Sequence, residues 1–149
     1  MKFISIQKDD GSKFDKLVKE RPSIVKFYNP MCGHCQSMKP DWNALQHNKK
    51  VQNQDINIIE VHTDAIPNIK SNIAQKAGNQ GIPFIIEAKI GGEAGQEYNG
   101  DRNEDSMVEF ILNNVISHKT QSGGKNAKKT KKTKRVKKTK KTKKAKKAK

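Results

Sequence analysis

The stretch YNPMCGHCQSMKP, residues 28–40, decides how the rest of the chain is interpreted, because it contains both cysteines of the sequence. It follows a near-continuous apolar run, SIVKFYN (23–29), which is typical of a strand buried on both faces. From Cys32 onward the apolar spacing is helical, so Cys32 is predicted at a helix start and Cys35 one turn further on the same side. The two sulfurs could form a redox pair, a metal site or a structural disulfide.

The position of Cys32 favours a redox pair. Backbone N–H groups at a helix start point at the sulfur, and the helix dipole is positive there, so both stabilise the thiolate. Cys35 lies within the Cα separation of roughly 4.4–6.8 Å that a disulfide requires. We expect Cys32, at the tip, to attack, and Cys35, one turn inside, to resolve the mixed disulfide. A protonated His34 would stabilise the Cys32 thiolate further; an exposed loop histidine without such a role is the alternative.

A structural zinc site is the rival hypothesis, since zinc needs about four ligands and one Cys-X-X-Cys motif supplies two of them. His47 and His62 are the nearest additional candidates, but they do not have ligand spacing relative to each other. A permanent disulfide is less favoured, because so short a loop constrains little of the unfolded chain. We therefore expect no metal and no organic cofactor, only the reversible Cys32–Cys35 disulfide.

The remaining segments alternate between strand and helix patterns. Their order, βαβαβαββα, predicts an α/β fold in which a central mixed sheet is flanked by helices. Ser12 is a candidate N-cap for the first helix, Pro40 a kink in the second, and Pro67 the opening residue of the third. The predicted strands are 2–6, 23–29, 56–64, 83–90 and 96–100, and the predicted helices are 12–20, 32–49, 67–78 and 103–119.

The net charge of +16 is concentrated at one end of the chain. Residues 1–124 contain 15 Lys and Arg and 15 Asp and Glu, whereas residues 125–149 contain 16 Lys and Arg and no acid. From Ala127 a lysine-rich triplet repeats with almost nothing apolar to bury, so we expect it to be disordered on its own. The predicted organisation is one domain over residues 1–118 and a disordered lysine-rich tail over residues 119–149.

A tail with this density of positive charge calls for a polyanion, and nucleic acid is the partner that we favour. The tail has no aromatic residue for base stacking, so binding would be salt-sensitive and independent of base sequence. A localisation or solubilising signal and a tether to an acidic protein or an anionic membrane are the alternatives. The predicted nucleic-acid-binding residues are Lys128, Lys129, Lys131, Lys132, Lys134, Arg135, Lys137, Lys138, Lys140, Lys141, Lys143, Lys144, Lys146 and Lys147.

These motifs resemble the thioredoxin superfamily, and more closely the thioredoxin domain of protein disulfide isomerases. The resemblance covers about residues 1–118 and rests on IVKFYNPMCGHCQSMKPDW (24–42), GIPF (81–84) and YNGDRNEDSMVEFI (98–111). It implies a thioredoxin fold and a thiol–disulfide oxidoreductase in which Cys32 is the nucleophile and Cys35 the resolving thiol. It further implies protein thiols or disulfides as substrates, and a thiol reductant or an oxidase as a partner.

The resemblance also implies how a substrate binds. Pro83 is expected to follow a cis peptide bond beside the sulfurs, with an ordinary trans proline as the alternative. The Ile82 backbone is expected to receive an extended substrate strand. Met31 and Gly33, which flank Cys32, complete the predicted substrate-binding set.

Two positions depart from the family pattern. Met31 stands where a tryptophan usually precedes the first cysteine, which leaves a softer apolar lip. Lys26 stands where a buried acid usually handles the proton of the second cysteine. A lysine in a strand buried on both faces is costly unless it is paired or neutral. Lys26 is therefore expected either to direct its amine toward the sulfurs, which would favour the thiolate, or to reach water and have no role.

The sequence shows no secretory signal and no run of about 20 apolar residues, and two cysteines do not suggest a secreted disulfide framework. We expect a monomer without a membrane span, in the cytoplasm, the nucleus or a nucleoprotein particle. The excess of Lys over Arg, together with frequent Asn and Ile, hints at an AT-rich genome, such as that of some large DNA viruses or protozoa, which adds the virion to these locations.

Two functions fit these features. The favoured one is a thiol–disulfide oxidoreductase tethered to nucleic acid by its tail. The alternative is a nucleic-acid-binding or packaging protein in which the folded domain is mainly a scaffold.

Overall fold

The fold is a five-stranded mixed sheet with helices on both faces, as the alternation of strand and helix patterns predicts. The computed structural model describes residues 1–117. The strands are β1 (Lys2–Ile6), β2 (Ser23–Tyr28), β3 (Asn57–His62), β4 (Phe84–Ala88) and β5 (Ala94–Glu97). Their order in the sheet is β1-β3-β2-β4-β5; β3 pairs in parallel with β1 and with β2, whereas β4 pairs antiparallel with β2 and with β5.

Five α-helices and three short segments of other helical types connect the strands in this part of the chain. The α-helices are α1 (Gly11–Glu20), α2 (Gly33–Ala44), α3 (Lys49–Gln52), α4 (Asn72–Gly78) and α5 (Glu104–Phe110). Residues Leu45–His47 and Thr63–Asn68 form 3₁₀ turns, and Ile111–Ile116 continues α5 as a π-helical segment. None of the helices among residues 1–117 is long and apolar enough to cross a bilayer.

Two apolar cores lie on opposite faces of the sheet, and β2 contributes to both because successive strand side chains point to opposite faces. Val25 and Phe27 belong to the core that α1 and α4 cover, whereas Ile24 belongs to the core that α2 and α5 cover. Lys26 lies between Val25 and Phe27, so its side chain shares the face of Ile24 and points toward α2. The fully buried Trp42 of α2 lies on that face.

The second helix is shorter in the structure than the range 32–49 that its apolar spacing predicts. It ends at Ala44, and after one 3₁₀ turn α3 begins at Lys49. Asn48 separates α3 from the preceding 3₁₀ turn. Its side chain accepts a hydrogen bond from the backbone N–H of Lys50 (3.0 Å), so Asn48 is the N-cap of α3. Pro40 lies inside α2.

The predicted N-cap of α1 is wrong. The helix begins at Gly11, one residue before Ser12, and Asp10 occupies the N-cap position. The Asp10 carboxylate does not cap the helix but accepts a hydrogen bond from the backbone N–H of Gln7 (3.0 Å). Gly11 is held here by a close approach, since a Cβ at this position would overlap the backbone carbonyl of Asn68.

The third predicted helix also starts later. Pro67 lies in the 3₁₀ turn, and α4 begins at Asn72, because the Ser71 hydroxyl accepts a hydrogen bond from the N–H of Ile73 (3.3 Å). The last strand is Ala94–Glu97 rather than 96–100. The lysine-rich tail, predicted as disordered over residues 119–149, lies outside the described residues.

Candidate active site

The loop between β2 and α2 is held by Asn29, a residue that the sequence analysis did not single out. Its side-chain oxygen accepts from the backbone N–H of Met31 (2.9 Å), and its backbone oxygen accepts from the N–H of Cys32 (3.0 Å). Its amide donates to the hydroxyl of Thr63 (3.0 Å) after β3. Asn29-Pro30 is a turn-forming pair, and this signal could have identified it.

Cys32 is the N-cap residue of α2. It is partly exposed, and its Sγ accepts a hydrogen bond from the backbone N–H of Cys35 (3.2 Å). The pKa of Cys32 lies below its ordinary value, chiefly because the Cys35 thiol donates a hydrogen bond to it, and then because the backbone N–H groups of Cys35 and His34 point at the sulfur. Partial desolvation opposes this shift, and the charge of Arg102 adds to it.

Cys35 has the opposite environment. Its side chain is 4% exposed, and burial, together with the hydrogen bond to Cys32, raises its pKa to about 11. The backbone of Asn29 and the charge of Lys26 both act in the other direction. The two sulfurs, one helical turn apart, therefore differ in exposure and in acidity, with the more acidic one at the surface.

The side chain of His34 is exposed, and it is the backbone N–H of this residue that is directed at Cys32. The thiolate tuning predicted for its imidazole stays a prediction. A Cβ built on Gly33 would meet nothing within 4 Å, so the approach to Cys32 over this residue is open.

The predicted substrate-binding residues lie around Cys32. The Ile82–Pro83 peptide bond is cis, the geometry that the resemblance implies, and the carbonyl oxygen of Ile82 is 3.7 Å from Cys32 Sγ. Met31 is 88% exposed, which leaves an apolar side chain free beside the sulfur. Whether these residues bind substrate stays a prediction.

Lys26 does not reach water. It is 2% exposed, and its Nζ lies 3.9 Å from Glu60 Oε2 and 4.8 Å from the ring centroid of Trp42. Burial lowers the pKa of Lys26, while the charges of Glu60 and Cys35 raise it. Its burial speaks against the expectation that Lys26 reaches water, and an amine that favours the thiolate stays a prediction.

A cavity of about 340 Å³ joins Lys26 to Cys35. Glu60 is part of the cavity wall. The sequence alone did not indicate Glu60, because its position beside Lys26 depends on how β2 and β3 pair. The lining consists of Lys26, Tyr28, Asn29, Pro30, Cys35, Gln36, Lys39 and Glu60.

A second cavity, of about 250 Å³, lies beside the cis proline. Its lining includes Pro83, Tyr98 and Arg102. Arg102 was also not singled out as a site residue, although it lies in the segment that carries the family resemblance.

The described residues contain no group of three or more His, Cys, Asp or Glu side chains arranged to hold a metal ion. His62 accepts a hydrogen bond at Nδ1 from the backbone N–H of Asp64 (3.1 Å), so this nitrogen is used within the turn after β3. The predicted nucleic-acid-binding residues, Lys128 to Lys147, lie outside the described part of the chain.

Comparison with known proteins identifies the family. The thioredoxin family model matches residues 5–113. The chain is 34% identical over 101 residues to a protein disulfide-isomerase of Neurospora crassa, an alignment that covers 68% of this chain and 27% of that protein. It is 29% identical over 120 residues to the protein disulfide-isomerase of Datisca glomerata, over 80% of this chain and 22% of that protein. The chain thus spans about a quarter of the length of these relatives.

Solved structures show the same fold. The first two thioredoxin domains of Naumovozyma dairenensis Eps1p match with a TM-score of 0.56 and 25% identity, over 67% of this chain and 37% of that one. A mutant thioredoxin from Halobacterium salinarum matches with a TM-score of 0.56 and 20% identity, over 76% of this chain and 91% of that one. The chain therefore belongs to the thioredoxin family, and its domain is of the protein disulfide isomerase type.

Proposed function

We propose that this protein is a thiol–disulfide oxidoreductase that acts through Cys32 and Cys35. The observation that carries the proposal is the contrast between the two sulfurs: Cys32 is partly exposed and its pKa is lowered, whereas Cys35 is buried and its pKa is raised to about 11. A thiolate is the nucleophile in disulfide exchange. Family membership supports the same chemistry.

In the first step the Cys32 thiolate attacks one sulfur of a substrate disulfide. The substrate S–S bond breaks, a mixed disulfide forms with Cys32, and the other substrate sulfur leaves as a thiolate that takes a proton from solvent. Hydrogen bonds from Cys35 and from the backbone at the start of α2 hold the negative charge on Cys32 before attack. A protonated His34 is proposed to add to this stabilisation.

In the second step Cys35 loses its proton and attacks Cys32 Sγ. The mixed disulfide breaks, the second substrate sulfur leaves as a thiolate that is then protonated, and Cys32 and Cys35 become a disulfide. The substrate gains two electrons and the pair loses two. Run in reverse, the same steps oxidise a substrate dithiol, so a thiol reductant or an oxidase must reset the pair.

The proposed substrates are proteins with accessible thiols or disulfides. The exposed Met31 supports an apolar contact beside the sulfur, and the Ile82 carbonyl near Cys32 supports pairing with an extended backbone. Gly33 leaves room for a chain to pass over the helix start.

An insulin-reduction assay with dithiothreitol tests this function. We expect turnover by the unmodified protein and none by Cys32→Ser, while Cys35→Ser accumulates a mixed disulfide visible on a non-reducing gel. The fold is expected to survive both changes, since Ser and Cys are similar in size. Equal turnover by the protein and Cys32→Ser would reject the enzymatic function and favour the scaffold alternative.

We also propose that the lysine-rich tail binds nucleic acid. The support is compositional: 16 cations and no acid in residues 125–149, against a net charge of zero in residues 1–124. Binding through phosphates would bring the redox domain to nucleoprotein, which fits a cytoplasmic, nuclear or particle-associated setting.

Gel shifts with duplex DNA across a salt series test the tail. We compare the full chain with residues 1–120 and with a full-length variant in which the tail lysines are replaced by glutamine. We expect binding by the full chain alone, with log K falling by about 0.9 per neutralised phosphate for each unit of log salt. Equal binding by all three proteins would refute the proposal.

A further inference from the structure

The amine of Lys26 is buried among groups that fix its position. The side chain is 3% exposed, and its Nζ lies 3.9 Å from Glu60 Oε2. The rings of Trp42 and Tyr28 lie 4.8 and 5.3 Å away, within the range of cation–π contacts. Because a buried ammonium without partners is very unfavourable, these contacts indicate a site that accommodates positive charge.

Strand pairing builds this site. Lys26 and Glu60 are Cα partners in the parallel ladder of β2 and β3, so their side chains emerge side by side on the face that α2 covers. Glu60 is also the partner of Ser5 on β1, and the Ser5 hydroxyl donates to Glu60 Oε1 (3.5 Å). The Glu60 side chain is 15% exposed, so it is less completely removed from water than the Lys26 side chain.

The cavity of 340 Å³ connects this pair to the resolving sulfur. Lys26, Glu60 and Cys35 all line it, and the exposed Gln36 and Lys39 of α2 form part of its wall. A proton that leaves Cys35 therefore enters a cavity that the Lys26 amine also lines and whose wall includes the exposed Gln36 and Lys39. Cys32, Ile82 and Met31 are not among the residues that line this cavity.

We propose that the Lys26 ammonium, kept charged by Glu60, stabilises the thiolate of Cys35 and so accelerates resolution of the mixed disulfide. This rests on the proposed thiol–disulfide function. The Cys35 proton passes to solvent in the cavity, the thiolate attacks Cys32 Sγ, and the substrate sulfur leaves as a thiolate that solvent protonates. Lys26 acts by its charge, and Glu60 is a positioning residue that acts through Lys26.

The groups around Lys26 give this arrangement a pH dependence. Glu60 on β3 and Cys35 on α2 favour the charged amine, whereas burial and Lys39 on α2 disfavour it. Tyr28 contributes its ring face. Removing Glu60 should therefore let the amine lose its proton at lower pH, and the help given to Cys35 should fade at the alkaline end first.

Stopped-flow reaction of the reduced full chain with 5,5′-dithiobis(2-nitrobenzoate) tests the proposal, because it separates the two steps. Attack by Cys32 releases one thionitrobenzoate in a phase that depends on probe concentration. Resolution by Cys35 releases the second in a phase that does not. The variants are Lys26→Met, Glu60→Gln, the double variant and Lys39→Met, which removes an exposed cation from the same cavity as a matched control.

At pH 7 we expect Lys26→Met to slow the second phase about tenfold, the change in thiolate fraction for a shift of one unit in the pKa of Cys35. The first phase should stay within about twofold, and so should both phases of Lys39→Met, because an exposed charge is screened. Glu60→Gln should slow the second phase when Lys26 is present, increasingly as pH rises, and have no further effect in the Lys26→Met background.

An unchanged second phase in Lys26→Met, equal slowing in Lys39→Met, or the same effect of Glu60→Gln in both backgrounds would overturn the proposal. A first phase missing from the unmodified protein would instead reject the thiol–disulfide function itself and the proposal with it. Circular dichroism of each variant identifies any that fails to fold, and the remaining single variant then decides the outcome.

Discussion

The thiol of Cys35 donates the hydrogen bond that contributes most to the lowered pKa of Cys32, so replacing Cys35 tests the chemistry of the helix start. Cys35→Ala removes the donor, whereas Cys35→Ser keeps a hydroxyl at the same place. A hydrogen bond to a charged group contributes about 1.5–3 kcal/mol. At about 1.36 kcal/mol per unit, its loss should raise the pKa of Cys32 by about one to two units. The backbone N–H groups of α2 remain and keep part of the shift.

The assay is the rate of iodoacetamide alkylation of Cys32 between pH 4 and pH 10, fitted to one titration. In Cys35→Ala and Cys35→Ser the only thiol is that of Cys32, so thiol alkylation follows one titration. We expect the pKa of Cys32 to be higher in Cys35→Ala than in Cys35→Ser, by about one to two units. If the two variants titrate together, the sulfur–sulfur hydrogen bond is not the main cause, and the helix start alone would have to explain the acidity.

Three further predictions concern stability, measured by urea unfolding of the reduced protein. The pKa of Cys35 is raised from its ordinary value of 9.0 to about 11; the contribution of Cys35 to stability should therefore be constant below pH 9 and fall by about 2–3 kcal/mol between pH 9 and pH 11, as the unfolded thiol ionises first. Cys35→Ala should lack this alkaline fall, whereas the lowered pKa of Cys32 acts in the opposite direction, by raising stability as pH rises toward 9. Gly11→Ala should destabilise by about 1–3 kcal/mol or more, because its Cβ would overlap the Asn68 carbonyl; a neutral change would mean that the close approach relaxes freely. Asn29→Ala should cost about 1–2 kcal/mol through the lost bonds to the loop backbone and to Thr63, whereas Asn29→Asp should keep the loop bond and lose less.

The reactive pair could be predicted from sequence because its physics is local. A cysteine that follows a buried strand and precedes a helix lies close to the free backbone N–H groups at the start of that helix, whatever the rest of the fold is. The order of strands and helices is similarly local in origin, since each element has its own apolar periodicity. The α/β order of elements was correct for this reason.

The partner of Lys26 could not be predicted from its own segment. Burial of the β2 strand was evident, but the partner of its lysine depends on the register with β3, which places Glu60 beside it. The start of α1 failed for a related reason: Ser12 is the better local cap, yet the contact of Gly11 with Asn68, which is distant in sequence, sets the boundary. Pairing between distant segments is the information that periodicity does not contain.

The chain contains a single tryptophan, Trp42, which lies on α2 and outside the basic segment. Trp42 is fully buried, on the helix that both sulfurs share, with its ring facing the amine of β2. Because α2 begins at the cysteine pair, we expect the fluorescence of Trp42 to change with the redox state, which would make it an internal reporter that needs no label. A dye on an oligonucleotide would supply a second colour, so the proposed thiol–disulfide exchange and the proposed nucleic-acid binding could be followed separately in one cuvette.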